Sequence, residues 1–160
     1  MGIELVRIDD RLIHGQVVTT WVKQKEIEQI LIINDKIAND PVQKSVFDLM
    51  APQDVNVRTF SVDEFIQITK KTQIKRKTLL LLTNPKDVLD LKRGEVHFSK
   101  LNLGGMKFTP DRKQYTKSIS LTDEDKADLI QLSELNVDIS VQMIPSDKPI
   151  LLLELLGKEE

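Results

Sequence analysis

Residues 78–82 read TLLLL, a run in which the side chains of both parities are apolar after the opening threonine. Successive side chains of a strand point to opposite faces. A strand of this kind therefore needs apolar cover on both sides of its sheet, as in a parallel sheet flanked by helices. The other segments agree. Residues 3–8 (IELVRI) and 28–33 (EQILII) are short apolar strands, residues 55–60 and 137–143 alternate as strands, and residues 101–103 form a short strand closed by Gly104-Gly105.

Helix signals lie between these runs. A helix follows the first strand and reaches about Lys25. Asn34-Asp35 reads as a turn pair. Asp40 caps the next helix with Pro41 at its first position. That helix, PVQKSVFDLMA, places Val42, Val46, Leu49 and Met50 on one face, and Pro52 closes it. Ser61 with Glu64 three residues on is a capping box. Asn84-Pro85 opens a helix with Val88, Leu89 and Leu91 apolar and Gly94 at its end. Thr122 begins another, with Asp125 three positions on and Leu129, Ile130 and Leu132 expected to face inward. Residues 107–120 read as a polar excursion with a hairpin, and residues 147–156 as an apolar-rich helix opened by Asp147. Strands alternating with helices predict a single α/β domain over residues 1–160: an open, mostly parallel twisted sheet with helices on both faces. No linker, repeat or low-complexity tract interrupts it.

Several function classes are excluded at this level. A formal net charge of -2 argues against a broad nucleic-acid surface, which needs a basic excess. The chain contains no cysteine, so disulfides, thiolate metal sites and cysteine nucleophiles are out. The first residues, MGIELVRIDD, lack the basic and then long apolar segments of a signal peptide. No apolar tract approaches the roughly 20 residues needed to span a bilayer. The expectation is a cytoplasmic protein.

The chemistry concentrates in residues 8–21, IDDRLIHGQVVTTW, where an apolar strand runs into a polar turn that opens a helix. Open α/β sheets bind ligands at such turns. His14 is one of only two histidines. An unperturbed imidazole has a pKa of about 6.5, so much of it is unprotonated and nucleophilic at neutral pH. Attack on a phosphoryl donor needs an approach path, neutralisation of the phosphoryl oxygens and exclusion of competing water. Arg11, three residues earlier, carries a permanent charge in a planar fork that matches phosphate. Gly15 and Gln16 open the helix, whose free N–H groups favour an anion, and Gly15 lets a phosphate approach the backbone closely. Asp9 or Asp10 would orient the imidazole through its second nitrogen or fix Arg11 by a salt bridge, and neither carboxylate is expected to touch phosphate.

Other residues carry less. His97, in GEVHF, reads as structural, and Trp21 as core packing. Gly104-Gly105 fits either a turn or a second loop facing phosphate or a partner. No GxxxxGK[ST] or GxGxxG is present, so no nucleotide cofactor is indicated. Apart from Asp9-Asp10, no cluster has metal-ligand spacing, and no metal is expected. The acidic pair resembles that of a response-regulator receiver domain, but the acceptor aspartate that such a domain needs after its third strand is missing, since residues 59–61 read TFS. The residues thus leave a histidine phosphocarrier, a module whose phosphorylation is a regulatory signal, and an anion-binding α/β domain without covalent chemistry.

Residues 7–21, RIDDRLIHGQVVTTW, closely resemble the signature of the IIB components of the mannose/fructose/sorbose class of sugar phosphotransferase systems. Residues 34–52 (NDKIANDPVQKSVFDLMAP), 79–88 (LLLLTNPKDV) and 102–106 (NLGGM) resemble further segments of that family. The likeness extends over nearly the whole chain, least clearly over 107–120. It implies that His14 is phosphorylated on Nδ1 by a phosphohistidine of a IIA component, with Arg11 supporting the phosphoryl group. It implies that His14 hands this group to a sugar arriving through a IIC/IID membrane permease, at which the protein docks peripherally. It implies a IIA partner on a separate polypeptide, because some members carry IIA fused ahead of IIB and this chain starts at the IIB segment. Assembly into a homo-oligomer is compatible with this picture.

Overall fold

The central strand β4 (Thr78–Leu82) is buried along its whole length, as its sequence requires. In the computed structural model, which describes residues 2–157, β4 lies within a seven-stranded sheet. The elements in chain order are β1 (Ile3–Asp9), α1 (Gly15–Lys25), β2 (Gln29–Ile33), α2 (Asp35–Ala38), α3 (Pro41–Leu49), β3 (Asn56–Phe60), α4 (Val62–Lys71), β4, α5 (Pro85–Arg93) and β5 (Lys100–Gly105), followed by β6 (Lys113–Gln114), β7 (Ser120–Leu121), α6 (Asp123–Glu134), β8 (Asp138–Val141), β9 (Ile150–Leu151) and α7 (Leu152–Gly157). The order across the sheet is β3-β2-β4-β1-β5-β8-β9, parallel throughout except for the last strand. β6 and β7 form a separate hairpin, as expected for the polar excursion.

Each face of the sheet has its own core. On one face Val6, Ile8, Leu80 and Leu82 meet Phe65 of α4, Val88 and Leu91 of α5, and Leu129 and Leu132 of α6. On the other face Leu79, Leu81, Ile30 and Ile32 meet Val18 and Val22 of α1 and Ile37 of α2. The chain crosses β1 on its way from β4 to β5, so the loops leaving β1 and β5 diverge and open a crevice at their C-terminal ends.

The predicted caps are present. Asp40 accepts from the N–H groups of Val42 and Gln43, Asn84 from Asp87, and both capping boxes close reciprocally. Several expectations are corrected. Asn34-Asp35 is not a free turn, because the Asn34 side chain caps the one-turn helix α2. Residues 147–156 do not form one helix. Ile150–Leu151 pair antiparallel with β8 before α7 begins, the hydrogen bonds open at the sheet edge having captured them. Ile130 is 39% exposed, whereas Leu129 and Leu132 are fully buried. The apolar stripe of α3 faces solvent, with Val42 73% and Leu49 87% exposed. α3 leans on the edge strand β3 and on α2, and it is Phe47, between the stripe residues, that packs on the core. Gly104-Gly105 does not close β5 but forms its last two residues.

Candidate active site

β1 alternates Val6 and Ile8 into one core with Arg7 and Asp9 toward the opposite face, and both of these charged residues are buried. Burial of a charge is tolerated only with partners. The Arg7 guanidinium donates from Nη2 to Asp9 Oδ2 (3.2 Å), and from Nη1 to the Gln142 carbonyl (3.1 Å) and Asn102 Oδ1. It lies 5.5 Å from the centre of the Trp21 ring, whose Nε1–H donates to the Met143 carbonyl. Nε of Arg7 has no hydrogen-bond partner among the described residues. Burial draws the Arg7 pKa below the usual arginine value, and the Asp9 carboxylate pulls it back up. Room for the guanidinium comes from Gly104, where a Cβ would stand 2.0 Å from the Arg7 Cζ. Trp21 is core, as expected, and also roofs this charge.

Asp9, so held, faces His14. Its Oδ2 lies 2.8 Å from His14 Nε2, and its Oδ1 accepts the Arg11 N–H (3.0 Å). In a neutral imidazole this places the proton on Nε2 and leaves the lone pair on Nδ1, which has no protein partner among the described residues. The turn that carries His14 is anchored by Leu12 and Ile13, both buried in the second core. Leu12 takes a left-handed φ of 57°, a conformation disfavoured for a bulky residue and concentrated at functional turns. His14 is the N-cap of α1, but its side chain makes no capping bond, so the first N–H groups of the helix stay open. Gly15 has φ 50° with no atom within 4 Å of where a Cβ would stand. Gln16 is exposed beside it.

Of the residues singled out from sequence, His14, Gly15 and Gln16 meet at the α1 N-terminus, and Arg11 stands exposed at the rim. Arg11 makes no salt bridge with Asp9 or Asp10 among the described residues. Asp10 does not reach His14. It turns to the other side of the strand end, where it pairs with Arg112 and accepts the Lys107 N–H. Asp9 therefore orients the imidazole. Sequence reasoning missed Arg7 and Asn102, and it marked Gly104-Gly105 as a turn or a loop facing phosphate or a partner without seeing that Gly104 makes room for Arg7. The available signal was a charged residue inside the apolar run IELVRI. A cleft of about 350 Å³ opens beside these groups, lined by Asp9, Asp10, Arg11, Gly105, Lys107 and Lys117. A cleft of about 450 Å³ along β3, against Arg58, Phe65 and Ile74, lies away from His14 and is lined by no histidine.

A buried aspartate paired with a part-exposed histidine at the switch point of an open parallel sheet, beside cationic side chains, is an arrangement suited to nucleophilic group transfer on a doubly wound α/β fold. Comparison with known proteins narrows the class. Residues 3–160 match the sequence model of the PTS system sorbose subfamily IIB component. The chain is 36% identical over 159 residues to the sorbose-specific EIIB component of Klebsiella pneumoniae, covering 99% of this chain and 97% of that one. The crystal structure of the IIBSor domain of the K. pneumoniae sorbose permease superposes with a TM-score of 0.92 at 34% identity, covering 100% and 99% of the two chains. The mannose-specific EIIAB component of Escherichia coli is 32% identical over 99% of this chain, which spans 49% of that protein. The chain belongs to the sorbose subfamily of IIB components of sugar phosphotransferase systems. It is a phosphotransferase component of sugar uptake, and none of its described helices is long and apolar enough to cross a membrane.

Proposed function

We propose that His14 is the phosphoryl carrier of this IIB component, with Nδ1 as the accepting atom. The observation that carries this reading is the 2.8 Å contact between Nε2 and the buried Asp9, which leaves Nδ1 as the free nucleophile. In the first step the N–P bond of a phosphohistidine on a IIA component breaks as the Nδ1–P bond of His14 forms, and the electron pair returns to the donor imidazole. In the second step a sugar hydroxyl at the IIC/IID permease attacks the phosphorus, the Nδ1–P bond breaks, and the hydroxyl proton leaves to solvent or base. The transition state is loose and asks mainly for position and charge compensation. Arg11, exposed at the rim, supplies the mobile fork, and the open N–H groups of α1 from Gly15 and Gln16 onward supply fixed donors. The E. coli relative that joins IIA and IIB in one name supports a IIA partner. Delivery to sugar implies peripheral docking at the permease from the cytoplasmic side.

The test is transfer of label from phosphoenolpyruvate through the general carrier proteins and a IIA, followed as an acid-labile, base-stable adduct by mass spectrometry. Label in the wild type and in His14→Gln is not the expected pattern; label in the wild type and His97→Ala with none in His14→Ala is. A wild type left unlabelled by several IIA partners overturns the reading.

A further inference from the structure

Residues 106–119 leave the sheet after β5, pass through β6 and return into β7, with the Met106 and Ser120 N–H groups donating to Ser118 and Met106 carbonyls (2.8 Å each). This excursion has no part in either core beyond Met106 and Ile119 and the partly buried Tyr115. Its inner wall nevertheless lines the cleft beside Arg11. Arg112 fastens it there. Arg112 Nη1 donates to Asp10 Oδ2 (3.1 Å) and to the Lys107 carbonyl (2.7 Å), and its Nε stands 3.8 Å from Asp125 Oδ2 at the start of α6. The Lys107 N–H donates to the same Asp10 oxygen (2.6 Å). One half-buried guanidinium thus ties the turn after β1, the excursion and the α6 N-terminus.

From this geometry we propose that Arg112 is a positioning residue for phosphoryl transfer at His14, holding Asp10 neutralised and turned from the phosphoryl group and keeping the wall of residues 106–119 against the cleft. The inference rests on His14 being the phosphoryl acceptor. Its physical need is plain. Asp10 lines the cleft that also holds Arg11 and Asp9, the partner of His14, so a dianionic group carried on His14 would stand near it, and Asp125 adds a second carboxylate behind it. Without Arg112 both carboxylates stand uncompensated beside the incoming charge, in a partly desolvated place where repulsion is weakly screened. Asp125 is already used in its capping box with Thr122, so it cannot turn away at no cost.

The experiment measures the rate of His14 labelling in the full chain by two donors, a phosphorylated IIA and the small donor phosphoramidate. The variants are Arg112→Gln, Arg112→Lys and the double variant Asp10→Asn/Arg112→Gln. Amide exchange at Lys107 is followed in parallel. Arg112→Gln is expected to label roughly tenfold more slowly with both donors, the scale of losing one charge-assisted contact. Its Lys107 amide should exchange faster, and Arg112→Lys, which keeps the cation, should retain most of the rate. The double variant should recover most of the loss, because the repelling carboxylate is gone. A residue needed only for folding would give a double variant no faster than Arg112→Gln, and that result overturns the proposal, as does an Arg112→Gln rate equal to wild type. If the wild type labels with neither donor, the phosphoryl reading of His14 itself fails and the inference falls with it. The Lys107 exchange rates then show separately that the latch exists.

Discussion

At the scale of single residues the site is a relay of orientation: Gly104 makes room for Arg7, Arg7 fixes Asp9, and Asp9 fixes the ring of His14. Each link makes a prediction. Asp9→Asn offers its amide or its carbonyl to Nε2 and no longer selects one tautomer, so phosphorylation of His14 should fall by about a hundredfold or more with the fold intact. The check is single-turnover labelling beside a thermal melt. Equal labelling of Asp9→Asn and wild type would remove Asp9 from the relay. Gly104→Ala drives a methyl into the guanidinium, which must leave its buried partners. It should cost about 3–5 kcal/mol, the scale of leaving a buried charge uncompensated, and abolish labelling as well. A folded, fully labelled Gly104→Ala protein would mean that Arg7 has another place to go. Only part of this was legible in the sequence. Arg11, His14 and Gly15 stand in one turn and advertise themselves together. Asp9 and Asp10 are adjacent, and which one faces His14 depends on the direction in which the strand end twists, a matter of tertiary packing. Asn102 and Arg112 become site residues only through contacts about a hundred positions apart in the chain, whereas Arg7 reaches Asp9 two residues on and was signalled only by its charge inside an apolar run.

At the scale of elements, local signals with their own hydrogen bonds were read well. Capping boxes, N-cap asparagine and aspartate, and the hairpin of the excursion all satisfy backbone groups within a few residues, so no distant partner is needed to see them. What could not be read was which apolar stripe is covered. The stripe of α3 has a proper helical period, yet its cover is absent because α3 rests at an edge strand. Segment 150–151 became a strand because β8 offered an unpaired edge. The α4 capping box gives a quantitative test. Ser61→Ala removes the hydroxyl that accepts the Glu64 N–H (3.1 Å) and should lower stability by about 1 kcal/mol. The Ser61 backbone N–H and then its side chain hold the Glu64 pKa below its ordinary 4.5. A carboxylate with a depressed folded pKa contributes stability above its unfolded pKa and loses it as pH falls through the folded value. Glu64→Gln should therefore be less stable than wild type at pH 7, and the gap should close below about pH 4. Urea midpoints at the two pH values decide it, and a gap that widens in acid would contradict the assigned direction.

At the scale of the whole molecule, charge is arranged against its own average. The chain carries a net charge of -2, yet the cleft that opens beside Asp9, the partner of His14, presents Arg11, Lys107 and Lys117, all exposed. With His14 as the phosphoryl acceptor, a phosphorylated partner approaching from solution would be steered by this local field, because charges farther off than a Debye length of about 8 Å at physiological salt are screened out. The same cleft lies where the chain reverses direction across β1, so two cores and the crossing hold its walls while leaving its mouth open. Two consequences separate steering from chemistry. The second-order rate of His14 labelling by a phosphorylated IIA should fall as salt rises, while the rate at saturating donor changes little. Replacing Lys107 and Lys117 together with glutamine should flatten that salt dependence and lower the second-order rate at low salt by roughly tenfold, within the range by which electrostatic steering accelerates association. At saturating donor the pair of glutamines should leave most of the rate, because Arg11 and the helix N-terminus remain. If the salt dependence is equally steep with both lysines gone, the partner is guided by another surface. If the saturated rate collapses instead, the lysines act on the phosphoryl group itself, and the cleft is part of the transfer chemistry rather than its approach.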